Sequence, residues 1–190
     1  MKINMAKIKR IILILVIFII YTYIFKGYIA YLPTIPVYPN NKEEIKKMKL
    51  LMKKRTAEDV RFFHLTNESV SKAFLTLPYV KETREELDNM ATNQNIIVNI
   101  FKYLINRRRP WQEDKEIKPI NIETAQTPAY PAGHAYQAYY ICKVLSKRYP
   151  TNSDQLKEIA KKCNECRVYA GLHYPSDGMF SKKLVNFFYK

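Results

Sequence analysis

Apolar positions along this chain form one long uninterrupted run near the amino terminus and then settle into helical spacing. Residues 11–25, IILILVIFIIYTYIF, are almost wholly apolar, and GYIAYL extends the run to Leu32. Fifteen helical residues cover only about 22 Å of a ~30 Å hydrocarbon core, so a span needs that extension, with Lys26 snorkelling toward the headgroups. The pattern predicts an amino-terminal signal anchor over residues 1–31, with its transmembrane helix at about 11–31. A cleaved signal, which would make the domain secreted, is the rival; no good small-x-small site supports it, because Gly27 and Ala30 stand apart among Tyr and Ile. Lys2, Lys7, Lys9 and Arg10 precede the run, which places the basic flank in the cytosol and the rest on the lumenal or extracytosolic side. LPTIPVYPNN, residues 32–41, reads as a Pro-rich linker.

Residues 42–190 then read as one helical domain. Asn41 is placed to cap a helix through KEEIKKMKLLMKKRTAEDV. Thr83 and Glu86 form a capping box, after which Leu87, Met90, Gln94, Ile97, Phe101 and Leu104 alternate at three- and four-residue spacing, predicting one long amphipathic helix to about Arg108, ended by Pro110. Residues 111–130 lack periodicity and read as a long loop, a common home for function. A helix from about His134 to Arg148, another from a cap at Ser153 to about Ala170, a break at Gly171 and Pro175, and a last short helix complete the chain. Alternating strand patterns of any length are missing, so the expected class is all-α.

Charge narrows the partners. Lys and Arg number 32 against 17 Asp and Glu, a formal +15, so phosphate esters, nucleic acids and anionic membranes are the first candidates. Nucleic acid is not expected, since basic repeats interleaved with aromatics and recognised binding motifs are missing. With 190 residues there is room for one domain with a core.

Three stretches carry candidate chemistry. In KYLINRRRP, Lys102 and Arg109 lie seven apart, nearly two helical turns, so both project from one face as two grips on one anion. In YPAGHAY, Gly133 and the first turn of a helix offer backbone N–H groups to an anion, with His134 beside them as a proton donor. In CRVYAGLHYPSD, Asp177 lies four residues after His173, close enough to hold one imidazole nitrogen and leave the other free as a nucleophile, and Arg167 can turn toward the same point. Each stretch alone is ordinary: a cationic surface, a histidine at a helix start, a structural pair. His64 is the remaining histidine and has no expected role.

Read in order, Lys-x6-Arg-Pro, Pro-x-Gly-His and Arg-x5-His-x3-Asp resemble the type 2 phosphatidic acid phosphatase and vanadium haloperoxidase superfamily, with Lys102, Arg109, Pro110, Pro131, Gly133, His134, Arg167, His173 and Asp177 all in place. The spacing, with TAEDV at 56–60 and SVSKAF at 69–74, is similar to that of bacterial class A nonspecific acid phosphatases. The resemblance, over roughly residues 32–180, implies a helical bundle of that type and a metal-independent, cofactor-free phosphatase. By motif position His173 attacks phosphorus to form a phosphohistidine, Asp177 orients its ring, and His134 protonates the leaving group. Lys102, Arg109, Gly133 and Arg167 hold the phosphate. The implied substrate is a phosphomonoester, small-molecule or lipid, and the implied enzyme is held at a membrane by its first helix. Alternatives are a lipid phosphate phosphatase, a vanadate-dependent haloperoxidase, which this chain is short for, and a weakened member acting as a membrane or anion-binding protein.

Departures from the pattern are Ala132, where the family usually has Ser, and Cys166, again in place of Ser; only 13 residues follow Asp177. Cys163 and Cys166 form a C-x2-C with no second pair nearby to complete a metal site, and Cys142 falls on an apolar helix side; a disulfide among the three stays open. Asn67-Glu68-Ser69 matches a glycosylation sequon. Trp111, Tyr130, Tyr136 and Tyr139 either line the mouth of the site or pack.

Overall fold

The computed structural model describes residues 5–24 and 37–189, and all regular structure among them is helical. The domain begins with α2 (Asn41–Lys53), capped by Asn40, whose side chain accepts from the N–H groups of Lys42 and Glu43. The cap therefore sits one residue before the expected Asn41. The single helix expected through Val60 is two. Thr56 and Asp59 close a capping box that starts α3 (Ala57–Asn67) afresh, because a β-branched hydroxyl followed at N3 by a carboxylate satisfies orphan N–H groups better than continuation does. A short α4 (Ser71–Phe74) follows, which periodicity did not reveal.

The Thr83–Glu86 capping box opens α5 (Arg84–Thr92) as expected. The long helix to Arg108 breaks after Thr92, however, and α6 (Asn95–Ile105) starts as a separate element. Asn93 and Asn95, poor helix formers, flank Gln94 at the break, and Gln94 turns its amide oxygen to accept from the Tyr189 hydroxyl. Leu104, expected on the buried stripe, is exposed, while Val98, Lys102, Tyr103 and Ile105 are buried. The helix ends at Asn106, whose φ of 52° and ψ of 45° place it in the left-handed region that Asn tolerates, so termination precedes Pro110. Pro110 instead starts the short α7 (Pro110–Glu113).

The carboxyl-terminal half is α8 (Gly133–Arg148), α9 (Ser153–Tyr169) and α10 (Pro175–Phe188), close to expectation. α8 lies at the centre, packed on α9, α10, α5 and α6, while α2 and α3 cover the far side of α9. Ala138, Ile141 and Leu145 of α8 meet Leu156, Ala160 and Cys163 of α9 and Leu87 and Ala91 of α5 in the largest cluster, where each large aliphatic side chain contributes about 1.5–3 kcal/mol. The three cysteines are buried and free.

α1 (Met5–Ile24) lies beside α6 with its apolar side chains from Ile11 to Ile17 between 45% and 65% exposed. It corrects the expected span. Lys7, Lys9 and Arg10 occupy its first turns, and the apolar stretch from Ile11 to Ile24 is about 21 Å long, short of a ~30 Å core. Among the described residues no helix is long and apolar enough to cross a membrane. Residues 25–36, which hold the rest of that expected span and the start of the Pro-rich linker, lie outside the described residues.

Gly171 turns the chain between α9 and α10 at a φ of 81°, where a side chain is strained, and a Cβ there would meet Pro119 Cα at 3.2 Å and Ile117 Cγ2 at 3.3 Å. Gly171→Ala is expected to lower unfolding stability by about 1–3 kcal/mol in urea titrations. A change below about 0.5 kcal/mol, ordinary for an exposed site, would contradict this backbone assignment.

Candidate active site

Four helix ends and one loop bring the motif residues together. Lys102 sits four residues after Val98 on the inward face of α6 and is buried, its ammonium donating to the Pro128 carbonyl. Arg109 does not share that face, contrary to the sequence reading. The left-handed Asn106 ends the helix first and sends residues 107–109 alongside the loop before α8, where Arg107 O accepts from Ala129 N at 2.8 Å and Arg109 Nε donates to Thr127 O at 2.8 Å. The two cations converge nonetheless, because both bond the same short stretch of loop, one at residue 127 and one at 128.

Gly133 is the first residue of α8, and a Cβ on it would lie 3.9 Å from both Lys102 Cε and Val98 Cγ1, so the start of α8 sits directly on α6 at the lysine stem. The first-turn N–H groups of a helix have no intrahelical acceptor, and their dipole favours an anion. Ala132 is the N-cap, fully buried, with no side-chain cap; its carbonyl accepts from Ser181 Oγ at 2.9 Å.

His134 follows, half-buried, with Nε2 donating to the Asn67 carbonyl at 3.1 Å, so its neutral form keeps the proton on Nε2. Arg167, near the end of α9, donates from Nη1 to Asn67 Oδ1 at 2.8 Å and from Nη2 to Thr66 O at 2.6 Å, while its buried Nε has no partner. The carboxyl end of α3 thus seats two motif residues.

His173 and Asp177 meet as expected. Arg109 Nη1 can only donate, so His173 Nε2, 2.8 Å away, accepts; Nδ1 therefore carries the proton and donates to Asp177 Oδ2 at 2.9 Å. Asp177 is the third residue of α10 and its Oδ2 also accepts from the Tyr174 N–H at 2.9 Å, the reach-back that fixes a carboxylate at a helix start. This leaves Nε2 with its lone pair toward the cations.

Electrostatics confirm that these groups share one buried volume. Burial pushes His173 well below its usual range, helped by Arg109, Lys102, His134 and Arg167. His134 is lowered well below its range by burial, then by Arg167, Arg109 and Lys102, against a raising bond to Asn67. Burial and the neighbouring Arg109 hold Lys102 well below the ordinary ammonium value, and burial first brings Arg109 down to about 10 and lowers Arg167. Asp177 is pushed up to about 6 by burial, with Arg107 working in the opposite direction. Lys102, Arg109 and Arg167 are at most 4% exposed, and among the described residues none takes part in an ion pair with a carboxylate; carbonyl and amide oxygens and His173 Nε2 are their partners.

Several participants escaped the sequence reading. Asn67, seen only as a sequon, accepts from His134 and Arg167 and from Thr124 Oγ1. Arg107, one of three consecutive arginines, is fully buried and bonds Asp177, while Glu44, on α2, is its counter-ion. Tyr130 and Tyr136 are buried in packing, Tyr130 stacked on Phe180 at 4.5 Å, and do not line a mouth. His64 is exposed beside Phe63. A cavity of about 100 Å³ bordered by Arg109, Trp111, Gln112 and Thr127 adjoins the cluster, whereas a groove of about 540 Å³ between α8, α9 and α10 contains none of these side chains.

The architecture has a solved counterpart, a structure titled the first transmembrane PAP2-type phosphatidylglycerolphosphate phosphatase from Bacillus subtilis. It superposes with a TM-score of 0.50 at 17% identity, covering 93% of this chain and 94% of that one. No curated protein matches this chain. Residues 89–182, from α5 to α10, match the profile of the PAP2 superfamily, and within them lie the six motif side chains and the glycine amide just described, from Lys102 to Asp177. By that match and by its fold the chain belongs to the PAP2 superfamily, whose members are phosphatases acting on phosphate esters.

Proposed function

We propose that this chain is a membrane-held, metal-independent phosphatase that hydrolyses phosphomonoesters through a phosphohistidine on His173. The observation that carries the reading is the set of three buried cations, Lys102, Arg109 and Arg167, without a carboxylate partner, gathered around an imidazole whose Nε2 is unprotonated. Burying a charge against dipoles alone is costly, and a phosphomonoester monoanion or dianion at this point offsets the cost.

The steps follow from the atoms. The Nε2 lone pair of His173 forms a bond to phosphorus as the ester P–O bond breaks, its electron pair leaving on oxygen and taking the Nδ1 proton of His134, which acts as an imidazolium once the phosphate anion is bound and returns to the neutral form with its Nε2 proton on the Asn67 carbonyl. Arg109 Nη1, which donates to Nε2 at 2.8 Å, transfers that bond to a phosphoryl oxygen as Nε2 is consumed. Lys102, Arg167 with its unpartnered Nε, and the first-turn N–H groups at Gly133 take the other oxygens, supplying preorganised electrostatic stabilisation. Asp177 holds the imidazolium formed at His173. Water then attacks phosphorus, gives its proton to His134, and the N–P bond breaks with its electrons returning to Nε2. Cations rather than a carboxylate cluster do the charge stabilisation, so no metal is assigned a role.

The alternative substrate class is a lipid phosphate. The exposed apolar side chains of α1, preceded by Lys7, Lys9 and Arg10, suit an anionic membrane surface, and the Bacillus subtilis structure of similar fold carries a lipid phosphatase title.

Two predictions follow. His173→Ala should abolish turnover of every ester and rapid, acid-labile incorporation of phosphate into the protein; His134→Ala should slow poor leaving groups far more than an activated aryl phosphate, all with chelator present. Undiminished incorporation in the His173 variant, or turnover that needs magnesium, would refute the mechanism. Ala132→Ser adds a hydroxyl at the buried cap before Gly133, and a bond to a charged oxygen worth about 1.5–3 kcal/mol should raise kcat/KM by roughly tenfold for each 1.4 kcal/mol realised in the transition state. An unchanged or lower value on one activated ester would show a site rebuilt around Ala132.

A further inference from the structure

A second line of buried charge runs behind the imidazole, from α2 to α10. Glu44, Arg107 and Asp177 are 5%, 0% and 0% exposed. Arg107 Nη1 donates to Asp177 Oδ1 at 2.6 Å and to Ser176 Oγ at 2.7 Å; Nη2 donates to Glu44 Oε2 at 2.7 Å and Asn41 Oδ1 at 2.9 Å; and Nε donates to Asn41 Oδ1 at 3.0 Å. Every N–H of the guanidinium is thereby used, leaving none for a phosphate. Its plane lies over Tyr174 at 3.7 Å and Tyr38 at 4.4 Å. Glu44 is fixed in turn, Oε1 accepting from Ser176 N at 2.9 Å and Oε2 from the Ser176 hydroxyl.

The two oxygens of Asp177 divide their work. Oδ1 takes the arginine, and Oδ2 takes the His173 Nδ1–H and the Tyr174 N–H. A carboxylate held on both oxygens has one orientation. Arg107 lies inside the Lys102-to-Arg109 stretch at a position the motif leaves open, and its charge is balanced by Glu44 and Asp177, unlike the three cations around Nε2.

We propose that Arg107, seated by Glu44, is a positioning residue that keeps Asp177 ionised and turned so that Oδ2 takes the Nδ1 proton of His173. The proposal rests on the reading of His173 as the nucleophile. Its logic is one of tautomers. An ionised Oδ2 demands Nδ1–H and so frees Nε2 for attack, whereas a protonated Asp177 makes no such demand, and a proton on Nε2 removes the lone pair.

The charged and titratable groups facing Asp177 are Arg107 between α6 and α7, Arg109 at the start of α7, Lys102 on α6, Glu44 on α2, Tyr130 before α8, and His173 and Tyr174 before α10. Burial raises Asp177 to about 6, Arg107 is the largest opposing influence, and Glu44 raises it. A neighbouring opposite charge lowers a carboxyl by about 1–3 pH units, so removing Arg107 moves the ionisation up by that amount, past neutrality. Removing the charge of Glu44 moves it down. The opposite signs separate positioning from mere scaffolding.

The test uses the full chain and an activated aryl phosphate, with kcat and KM measured from pH 5 to 9 for wild type, Arg107→Met, Arg107→Lys and Glu44→Gln, and with nitrogen NMR of the His173 ring at pH 7. In Arg107→Met the acid limb of the profile should move up, kcat at pH 6 falling about tenfold per pH unit of displacement and recovering at pH 9, while KM is unchanged and His173 shifts toward the Nε2–H form. Arg107→Lys should fall between, and Glu44→Gln should move the limb down. A folded Arg107→Met with the wild-type limb and ring tautomer overturns the proposal, as does a loss uniform across pH with the tautomer unchanged. If Arg107→Met does not fold, the Glu44→Gln limb decides: downward movement supports the proposal and an unmoved limb overturns it. If wild type hydrolyses no phosphate ester, or His173→Ala keeps full turnover, the phosphatase reading fails, and the ring tautomers of Arg107→Lys and Glu44→Gln still decide whether the arginine sets the imidazole.

Discussion

Three cations buried without an anion are the constraint on which this molecule is arranged. Lys102, Arg109 and Arg167 are nearly inaccessible, and the groups they donate to carry only partial charge: Pro128 O; Thr127 O, Leu172 O and His173 Nε2; Thr66 O and Asn67 Oδ1. A surface location or a directly bonded carboxylate would relieve the burial at once, and among the described residues the fold supplies neither; Asp177 acts on Lys102 and Arg109 only without a direct bond. The backbone around the cluster is fixed accordingly. The loop before α8 presents two consecutive carbonyls to two cations, and α3 ends where its last carbonyls meet Arg167 and His134. Burial, and after it repulsion from the neighbouring cations, lowers the proton affinity of His134, His173 and Lys102 together, and an incoming anion opposes that repulsion.

A helical bundle produces such a point because helix ends, not helix faces, meet there. α6 delivers Lys102 one turn before it stops; α8 delivers its first two residues; α9 delivers Arg167 in its last turn; α10 delivers Asp177 in its first. Each stop or start has a local cause in sequence. The left-handed Asn106, the left-handed Gly171 and the helix-initiating prolines 110 and 175 are the residues that aim the chemistry, although none carries it. The apolar packing of α8 on α5 and α9 holds these ends in register from the opposite side.

The sequence revealed the groups whose spacing within one segment implies contact. His173 and Asp177 are four apart across a helix start, and Gly133 and His134 are adjacent, so local geometry places them. Lys102 and Arg109 were identified for the wrong reason. Their spacing suggests one helical face, but Asn106 ends the helix between them, and a shared loop brings them together. Breaks inside α2–α3 and α5–α6 were hidden because hydrophobic spacing continues across them, while the Thr56–Asp59 box and the Asn93–Gln94 step end each helix locally. Arg107, Glu44 and Asn67 were illegible for a different reason. The hydrogen-bond partners of their side chains are 57 to 132 residues away in sequence, and a buried arginine among three consecutive basic residues looks the same in one dimension as an exposed one.

The most direct measurement is a crystal structure of the chain with vanadate, an analogue of five-coordinate phosphorus. The account predicts vanadium bonded to His173 Nε2, with Lys102, Arg109, Arg167 and the Gly133 amide on its oxygens and the His173–Asp177 bond of 2.9 Å intact. Vanadate bound away from Nε2, or held through Nδ1 after a flip of the ring, would contradict it.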